Sequence, residues 1–316
     1  MKIRRILCAV LTAAMIGSVS SCGCESGSPV EPTNTTTTAE TTTRETTTER
    51  TTTTTTEMPP DTDTEIVGTT DIITDDGLVS ESVDEAAYAS SYIDMTKIGW
   101  GLGKDKNDKN QPIDAVKAQE KYKDCNGEFL CDDGKILLTF DVGYENGCTA
   151  EILDTLKEKN IKAVFFVTYD YCKTSPELVK RMIDEGHTVG NHTYTHPSMP
   201  DCSESEMIEE VMTLHDYVAE KFGCKMELFR FPKGEFSEKA LSVVKSLGYT
   251  SVFWSFAYSD WDVNAQPDPM QSLQKIKDST HSGIYLLHAV SETNTQILGE
   301  VIDYWQSEGY EIICKL

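Results

Sequence analysis

The fold class is decided by residues 136–141, Ile136-Leu137-Leu138-Thr139-Phe140-Asp141, in which an apolar run ends in a carboxylate. A short, continuous apolar run is typical of a strand that is buried on both faces. Residues 149–160 follow, and Ile152, Leu153 and Leu156 recur there at helical spacing. The stretch therefore predicts a strand followed by a helix, the unit from which parallel α/β domains are built.

The same alternation continues to the end of the chain. Further strands are predicted at residues 163–167, 187–190, 227–230, 250–256, 283–288 and 310–314. Helices are predicted at 174–186, where Thr174-Ser175-Pro176-Glu177 suggests a capping box, and at 203–223, 237–248, 270–279 and 294–309. Seven strands alternating with helices predict a parallel α/β domain. A barrel fits better than an open sheet, because no phosphate-binding glycine-rich turn follows the first strand.

The charge of the chain limits its partners. The 316 residues carry a formal net charge of −24 at pH 7. Because nucleic acids are held mainly through clustered Lys and Arg, this balance argues against nucleic acid as a partner. It indicates a self-repelling surface instead, and a monomer is expected.

Residues 1–21 have the pattern of an export signal and not of a folded element. The basic residues Lys2, Arg4 and Arg5 precede an apolar stretch at 6–16 that is too short to span a bilayer. Val19-Ser20-Ser21-Cys22 then resembles a bacterial lipoprotein cleavage box, in which Cys22 becomes the lipid-bearing first residue. The alternative is an ordinary secretory signal with a chance cysteine. The lipoprotein pattern predicts an extracytoplasmic protein anchored to the outer face of the cytoplasmic membrane.

Residues 22–87 are predicted to be a disordered tether. Thr dominates positions 33–56, and no Lys or Arg occurs from Glu57 to Thr96. Such a composition does not bury an apolar core. Residues 88–134 are expected to pack as an N-terminal extension onto the domain that follows.

Two histidines lie directly after a predicted strand, at the end where a parallel barrel keeps its chemistry. His192 and His196 have the H-x3-H spacing. On a helical turn or a tight loop this spacing brings both imidazoles to one side, where they can share a metal ion. The alternative is a chance pair of exposed histidines. The spacing and the position after a strand favour metal ligands.

Asp141 and Arg230 also end predicted strands. Asp141 is interpreted as a general base, with Arg230 as the cation that keeps it charged and oriented. The alternatives are a turn residue for Asp141 and a structural ion pair for Arg230. Arg230 begins the run Arg230-Phe231-Pro232-Lys233-Gly234, where the backbone N–H of Lys233 is placed to stabilise an oxyanion.

His288 closes the last well-defined apolar strand. A histidine at this position is often a hydrogen-bonded core residue. The alternative is a general acid whose pKa is raised by a hydrogen bond from its ring to Asp260. Trp261 and Trp254 are candidates for an apolar wall against an acyl methyl group or a sugar face, or for ordinary core packing.

These motifs, in this order and spacing, resemble the polysaccharide deacetylase family, also called the NodB-homology or carbohydrate esterase 4 family. The resemblance covers about residues 135–316. More narrowly, the chain is similar to the delta-lactam-forming peptidoglycan deacetylases of spore-forming Firmicutes. The segments that carry this likeness are Ile98-Gly99-Trp100-Gly101-Leu102, Gly143-Tyr144-Glu145-Asn146-Gly147, Val252-Phe253-Trp254-Ser255 with Asp260-Trp261, and residues 284–291.

The resemblance implies a distorted (β/α) barrel of about seven strands and a metal-assisted hydrolysis. It assigns the base to Asp141, the metal ligands to His192 and His196, the alignment of the base to Arg230, the tuning of the acid to Asp260, and the acid to His288. The substrate that it implies is an N-acetyl group of a cell-wall glycan. N-Acetylmuramic acid of peptidoglycan is favoured, leading to muramic delta-lactam. The alternatives are a deacetylase of chitin-like or acetylated plant polysaccharides and an inactive wall-binding lipoprotein.

Val142 departs from the family pattern. Most members carry a second Asp there as a third protein ligand, and the delta-lactam subgroup tends to have Asn, whereas Val has no donor atom. The implied divalent ion, zinc, manganese or cobalt, is therefore expected to bind weakly. A domain that has lost catalysis is the alternative. The presence of Asp141, Arg230 and His288 favours an active enzyme.

Overall fold

A computed structural model describes residues 93–316 of the chain. The predicted signal peptide (1–21), Cys22, the tether (22–87) and the first five residues of the extension (88–134) lie outside the described residues. Between residues 93 and 316, no helix is long and apolar enough to cross a membrane.

The described residues alternate strands and helices. The strands are β1 (Ile98–Gly99), β2 (Gly127–Glu128), β3 (Lys135–Val142), β4 (Val164–Val167), β5 (Thr188–Asn191), β6 (Leu228–Phe229), β7 (Glu235–Phe236), β8 (Thr250–Val252), β9 (Gly283–His288) and β10 (Glu311–Ile313). The helices are α1 (Ile113–Tyr122), α2 (Cys148–Glu158), α3 (Tyr169–Thr174), α4 (Pro176–Asp184), α5 (Glu204–Phe222), α6 (Glu238–Ser246), α7 (Pro269–Asp278) and α8 (Glu292–Ser307).

The main sheet is parallel throughout and curls into a distorted barrel, as predicted. Its strand order is β10-β3-β4-β5-β6-β8-β2, and β9 pairs with the other side of β3. After β8, the N–H groups of Ser255 and Phe256 donate to the carbonyl of Ile284 in β9, so the sheet returns towards β3. The barrel is uneven because β10 and β4 share one side of β3: β10 pairs with residues 135–137 and β4 with residues 139–142.

The alternation of side chains along β3 divides the core and leads to the site. Ile136, Phe140 and Val142 belong to the large apolar cluster that also contains helical side chains such as Trp305. Leu137 belongs to a smaller cluster of strand residues enclosed by the sheet. Because successive strand residues face opposite sides, Asp141 lies on the enclosed face at the carboxyl end of the strand.

The seven predicted strands are present, and an eighth joins them. This strand is β2, which lies in the predicted extension and pairs in parallel with β8. The predicted capping box at residues 174–177 is wrong: Ser175 precedes α4 without a side-chain cap, and the short helix α3 already occupies residues up to Thr174. A capping box does form at the start of α5, between Ser203 and Glu206.

The N-terminal extension also holds the edge of the site. Its strand β1 pairs antiparallel with β7, directly after the turn that contains Lys233. The indole N–H of Trp100 donates to the carbonyl of Trp254 (2.9 Å). The extension therefore supports two loops that border the barrel mouth.

Candidate active site

A cavity of about 750 Å³ opens at the carboxyl ends of the strands. This volume lies in the range of sites that take small molecules or short polymer segments. Six of the predicted site residues line it: Asp141, His192, His196, Lys233, Trp261 and His288. Arg230 and Asp260 lie beneath the wall, and neither is exposed to solvent.

Asp141 is held by Arg230 from below. The Arg230 Nη1 group donates to Asp141 Oδ1 (2.8 Å) and to Thr139 Oγ1 (2.8 Å). The other guanidinium nitrogens donate to the carbonyls of Val252 (3.0 Å) and Phe253 (3.1 Å). These bonds fix the guanidinium, which in turn fixes one oxygen of Asp141.

The charges around Asp141 keep it ionised. Burial by itself would raise the pKa of this carboxyl, but the positive charge of Arg230 outweighs this effect. The pKa of Asp141 therefore lies below its ordinary value of 3.8. An ionised carboxylate at the cavity wall can accept a proton.

The two histidines lie together on the loop after β5. Their ring centroids are 4.8 Å apart, and His192 Nε2 is 3.6 Å from Asp141 Oδ2. The Nδ1 group of His192 contacts the carbonyl of Arg230 at 2.9 Å. Because a carbonyl only accepts, Nδ1 carries the proton, and Nε2 keeps a lone pair on the side of Asp141.

Both rings are in the form that ligates a metal. Burial lowers the pKa of His192, and it lowers the pKa of His196 to about 4, so both imidazoles are neutral near pH 7. The donor set thus fits a divalent ion with two imidazole ligands. Across residues 93–316, no group of three or more His, Cys, Asp or Glu side chains is arranged to hold an ion.

Val142 does not line the cavity. Its side chain is fully buried in the apolar cluster between sheet and helices. The next residue along the strand from Asp141 faces the opposite side, and an apolar side chain is stable there. The structure therefore supplies no third donor atom from this position.

The loops that carry the site residues hold unusual backbone conformations. Thr193 (φ 71°), His196 (φ 61°) and Lys233 (φ 60°) all adopt positive φ, which L-residues other than Asn and Asp rarely do. Such conformations cost about 1–3 kcal/mol each and cluster at functional sites. Local hydrogen bonds stabilise the histidine loop, including His196 N–H to Thr193 Oγ1 (3.0 Å) and Thr195 N–H to Glu210 Oε2 (2.7 Å).

His288 is held by Asp260 through two hydrogen bonds. The ring Nδ1 group contacts Asp260 Oδ1 (2.7 Å), and the backbone N–H of His288 donates to Asp260 Oδ2 (2.8 Å). Burial works against a protonated ring, but the hydrogen bond and charge of Asp260 outweigh it. The pKa of His288 therefore lies above 6.5, which suits a proton donor near neutral pH.

Two residues behind this pair were not predicted from the sequence. Asn294 is fully buried and donates through Nδ2 to Asp260 Oδ2 (2.7 Å) and to the carbonyl of His288 (3.1 Å). Tyr258 in turn donates to Asn294 Oδ1. The one signal in the sequence is a polar residue at the start of a helix, which is equally typical of a helix cap.

Aromatic side chains border the cavity. Trp261 lines it and is 58% exposed, so its face is available to a sugar ring or an acyl methyl group. Trp254 lines it as well but is half-buried, and it lies against Gly234, where an added Cβ would approach its ring to 2.7 Å. Trp254 therefore packs the Lys233 turn while forming part of the wall.

Comparisons with known proteins agree with this geometry. Residues 131–252 match the family model described as polysaccharide deacetylase. The chain is 38% identical over 218 residues to the peptidoglycan-N-acetylmuramic acid deacetylase PdaA of Bacillus subtilis, covering 67% of this chain and 82% of that protein.

Solved structures show the same likeness. The structure of Bacillus subtilis PdaA, described as a family 4 carbohydrate esterase, matches with a TM-score of 0.66 and 34% identity over 70% of this chain and 95% of that one. A Bacillus anthracis protein described as a pseudoenzyme of the same family matches with a TM-score of 0.56 and 25% identity, over 59% of this chain and 66% of that one. The chain aligns with 82% of the length of Bacillus subtilis PdaA at 38% identity. It therefore belongs to the polysaccharide deacetylase family.

Proposed function

We propose that this protein hydrolyses the N-acetyl group of N-acetylmuramic acid in peptidoglycan, releasing acetate and leaving an amine on the glycan. The observation that carries the proposal is the pairing of two oppositely tuned groups at one cavity. Asp141 has a lowered pKa and His288 a raised one. Two groups whose surroundings push their pKa values apart are suited to act as base and acid at the same pH.

Each residue has a role in this proposal. Asp141 accepts a proton from the attacking water, and Arg230 keeps the carboxylate ionised and oriented. The backbone N–H of Lys233 donates to the oxygen of the tetrahedral intermediate. His288 donates its proton to the departing amine nitrogen, and Asp260 stabilises the charged ring. The C–N bond breaks, and the products are acetate and a free amine.

His192 and His196 would hold a divalent ion through their neutral rings. When bound, such an ion polarises the acyl carbonyl and makes water a better nucleophile. With two imidazole ligands from the chain, the affinity is expected to be low. Zinc, manganese and cobalt all suit imidazole ligands.

The muramic substrate is supported by the likeness to Bacillus subtilis PdaA. Once the acetyl group is removed, the muramic residue carries its amine and its lactyl ether on neighbouring ring carbons. Condensation of the amine with the lactyl carboxyl, with loss of water, gives muramic delta-lactam. Deacetylation by this protein would therefore supply the precursor of that product.

We also propose an extracytoplasmic location through a lipid anchor at Cys22, after removal of a signal peptide at 1–21. The support is the box Val19-Ser20-Ser21-Cys22 and the location of the proposed substrate in the wall. Residues 22–87 would then be the tether that lets a monomeric domain, residues 135–316, extend from the membrane. Cys22→Ser should release the protein into the medium, and a wild-type protein that is already soluble there would contradict the anchor.

The enzyme proposal is tested on purified protein with added divalent ion. Peptide-stripped glycan strands and chitooligosaccharides are incubated with it, and the products are analysed by mass spectrometry. The proposal requires loss of acetyl groups from muramic residues of the strands. A second candidate, glycan binding without hydrolysis, is favoured by the missing third ligand at Val142. It requires binding of the strands with no acetate released.

A further inference from the structure

One exposed lysine side chain lines the cavity. Among the described residues that line it, Lys233 is the one Lys or Arg, while Asp141 and Asp170 are the acids. Arg230 lies below the wall and is not exposed, and its Nη1 group pairs with Asp141 Oδ1 at 2.8 Å. A negatively charged group that enters the cavity therefore meets one accessible Lys or Arg side chain, that of Lys233.

The ammonium group of Lys233 has no partner of its own. In residues 93–316, no carboxylate lies within 4.0 Å of it, although 15 of the ion pairs there involve Lys or Arg. The charge of Lys233 contributes to lowering the pKa of Asp201, but that carboxylate is hydrogen-bonded to Lys97. The Lys233 side chain is exposed and available to a ligand.

The backbone beneath this side chain is fixed. Lys233 adopts φ 60° and ψ 5°, and Gly234 follows at φ 68°. Glycine or asparagine would adopt the Lys233 conformation at lower cost, so the position carries a long cationic side chain against the local backbone preference. Gly234 cannot gain a Cβ without meeting Trp254 at 2.7 Å, and this close packing holds the turn at the cavity wall.

We infer that the Lys233 ammonium binds the lactyl carboxylate of the muramic residue and so selects acid-bearing amino sugars over neutral ones. The inference rests on the proposed function. N-Acetylmuramic acid carries its acetamido group and its lactyl ether on neighbouring ring carbons. If the backbone N–H of Lys233 donates to the acetamide oxygen, the side chain of the same residue extends from the adjacent Cα and can reach the neighbouring carboxylate.

Charge makes this contact decisive for affinity. The protein has a formal net charge of −24, which opposes the approach of a glycan that bears a carboxylate on alternate sugars. An ammonium–carboxylate contact at the site offsets that repulsion and orients the ring. A neutral amino sugar lacks the group and gains nothing from Lys233.

The test compares two versions of one glycan. Peptide-stripped strands carry free lactyl carboxylates, and carbodiimide coupling to methylamine converts these carboxylates to neutral amides. Wild type should prefer the acid strands, and Lys233→Met, which keeps the backbone N–H and most of the side-chain length without the charge, should lose that preference. The expected loss is about 10–100-fold in kcat/KM on acid strands, the scale of one charged hydrogen bond, and mainly through KM.

Two variants separate a specific contact from the general field. Lys173→Met removes the same charge from an exposed lysine outside the cavity lining and should keep the preference. Asp170→Asn changes the charge inside the cavity but leaves the Lys233 side chain in place, so this variant should also keep the preference for the acid strands. If Lys173→Met reduces the preference as much as Lys233→Met does, or if Lys233→Met lowers activity equally on both strands, the inference is overturned.

A binding measurement keeps the inference separate from the proposed function. Calorimetric titration should show wild type binding the acid strands more tightly than the amidated strands, and Lys233→Met binding both alike. If wild type releases no acetate from either glycan, the proposed hydrolysis fails while this titration still tests Lys233. Equal binding of both glycans by wild type would contradict the inference even in an active enzyme.

Discussion

Asp141 of β3 and His288 of β9 are register partners on adjacent parallel strands. Neighbouring strands lie about 4.8 Å apart, so the two side chains leave the sheet at the same level of the barrel mouth. Arg230 supports the first from below, and Asp260 supports the second. The proposed base and acid therefore owe their relative position to a strand pairing and not to a flexible loop.

Substitution of either group should reduce turnover without unfolding the protein. Asp141→Asn removes the proposed proton acceptor, and His288→Ala removes the proposed donor, so each should lower kcat by about 10²-fold or more. Circular dichroism and the midpoint of urea unfolding are the controls for folding. Near-normal turnover by a folded variant would remove that residue from the mechanism.

The alkaline limb of the pH–rate profile should report His288. The pKa of His288 lies above 6.5 because Asp260 stabilises the protonated ring against burial. Activity that needs this proton is present below that pKa and is lost as the pH rises through it. Asp260→Asn removes the stabilising charge and should move the limb to lower pH.

Asn294 provides a milder version of the same test. Asn294→Ala removes one donor to Asp260 Oδ2 and one to the His288 carbonyl, and leaves the ion pair itself in place. Turnover should fall by about 10–100-fold, as for other groups that orient a catalytic side chain. If the alkaline limb of the pH–rate profile does not shift in either Asp260→Asn or Asn294→Ala, a group other than His288 sets it.

Arg230 should be needed for stability as well as for activity. Arg230→Met leaves the carboxylate of Asp141 without its charge partner and the carbonyls of Val252 and Phe253 without a donor. The free energy of unfolding should fall by about 3–5 kcal/mol, measured by urea denaturation. Lys180→Met is the surface control: both Lys180 and its partner Asp184 are exposed, and the substitution should cost about 1 kcal/mol or less.

The proposed metal site should respond to Val142→Asp. The new carboxylate begins in an apolar cluster, so the ion-free variant should be less stable than wild type. By the family resemblance it can turn towards His192 and His196 as a third ligand, and metal affinity should rise by at least about tenfold. Calorimetric titration and the metal-induced rise in Tm measure this, with Val142→Asn as the control of similar volume. No tightening would mean that the side chain stays in the core.

Strand β9 was predictable because one local pattern covers it. β9 runs from Gly283 to His288, the bounds that the sequence predicts, since a continuous apolar run ends there in a polar side chain. β8 is shorter than predicted because the N–H groups of Ser255 and Phe256 pair with Ile284 of β9 instead of continuing beside β6 and β2. Such a change of partner depends on a residue almost thirty positions away.

The missed parts of the site are also set by distant contacts. β2 is two residues long and has no periodicity, so only its pairing with β8 defines it. Thr139 is the one polar residue inside the apolar run of β3, and its hydroxyl accepts from Arg230 at 2.8 Å, 91 positions away. Asn294 bonds to Asp260 across 34 positions. Composition and spacing do not predict these long-range contacts. The strand ends and the H-x3-H pair were predictable because they are local features of the sequence.

The most direct test of the proposed function is the acetyl content of muramic residues in peptide-stripped glycan after incubation with the full chain and a divalent ion. Mass spectrometry should show muramic residues that have each lost one acetyl group, with an equal amount of acetate released. Asp141→Asn should show this loss at about 10²-fold lower rate under the same conditions. Intact acetyl groups after prolonged incubation of folded, metal-supplied wild-type protein would contradict the account.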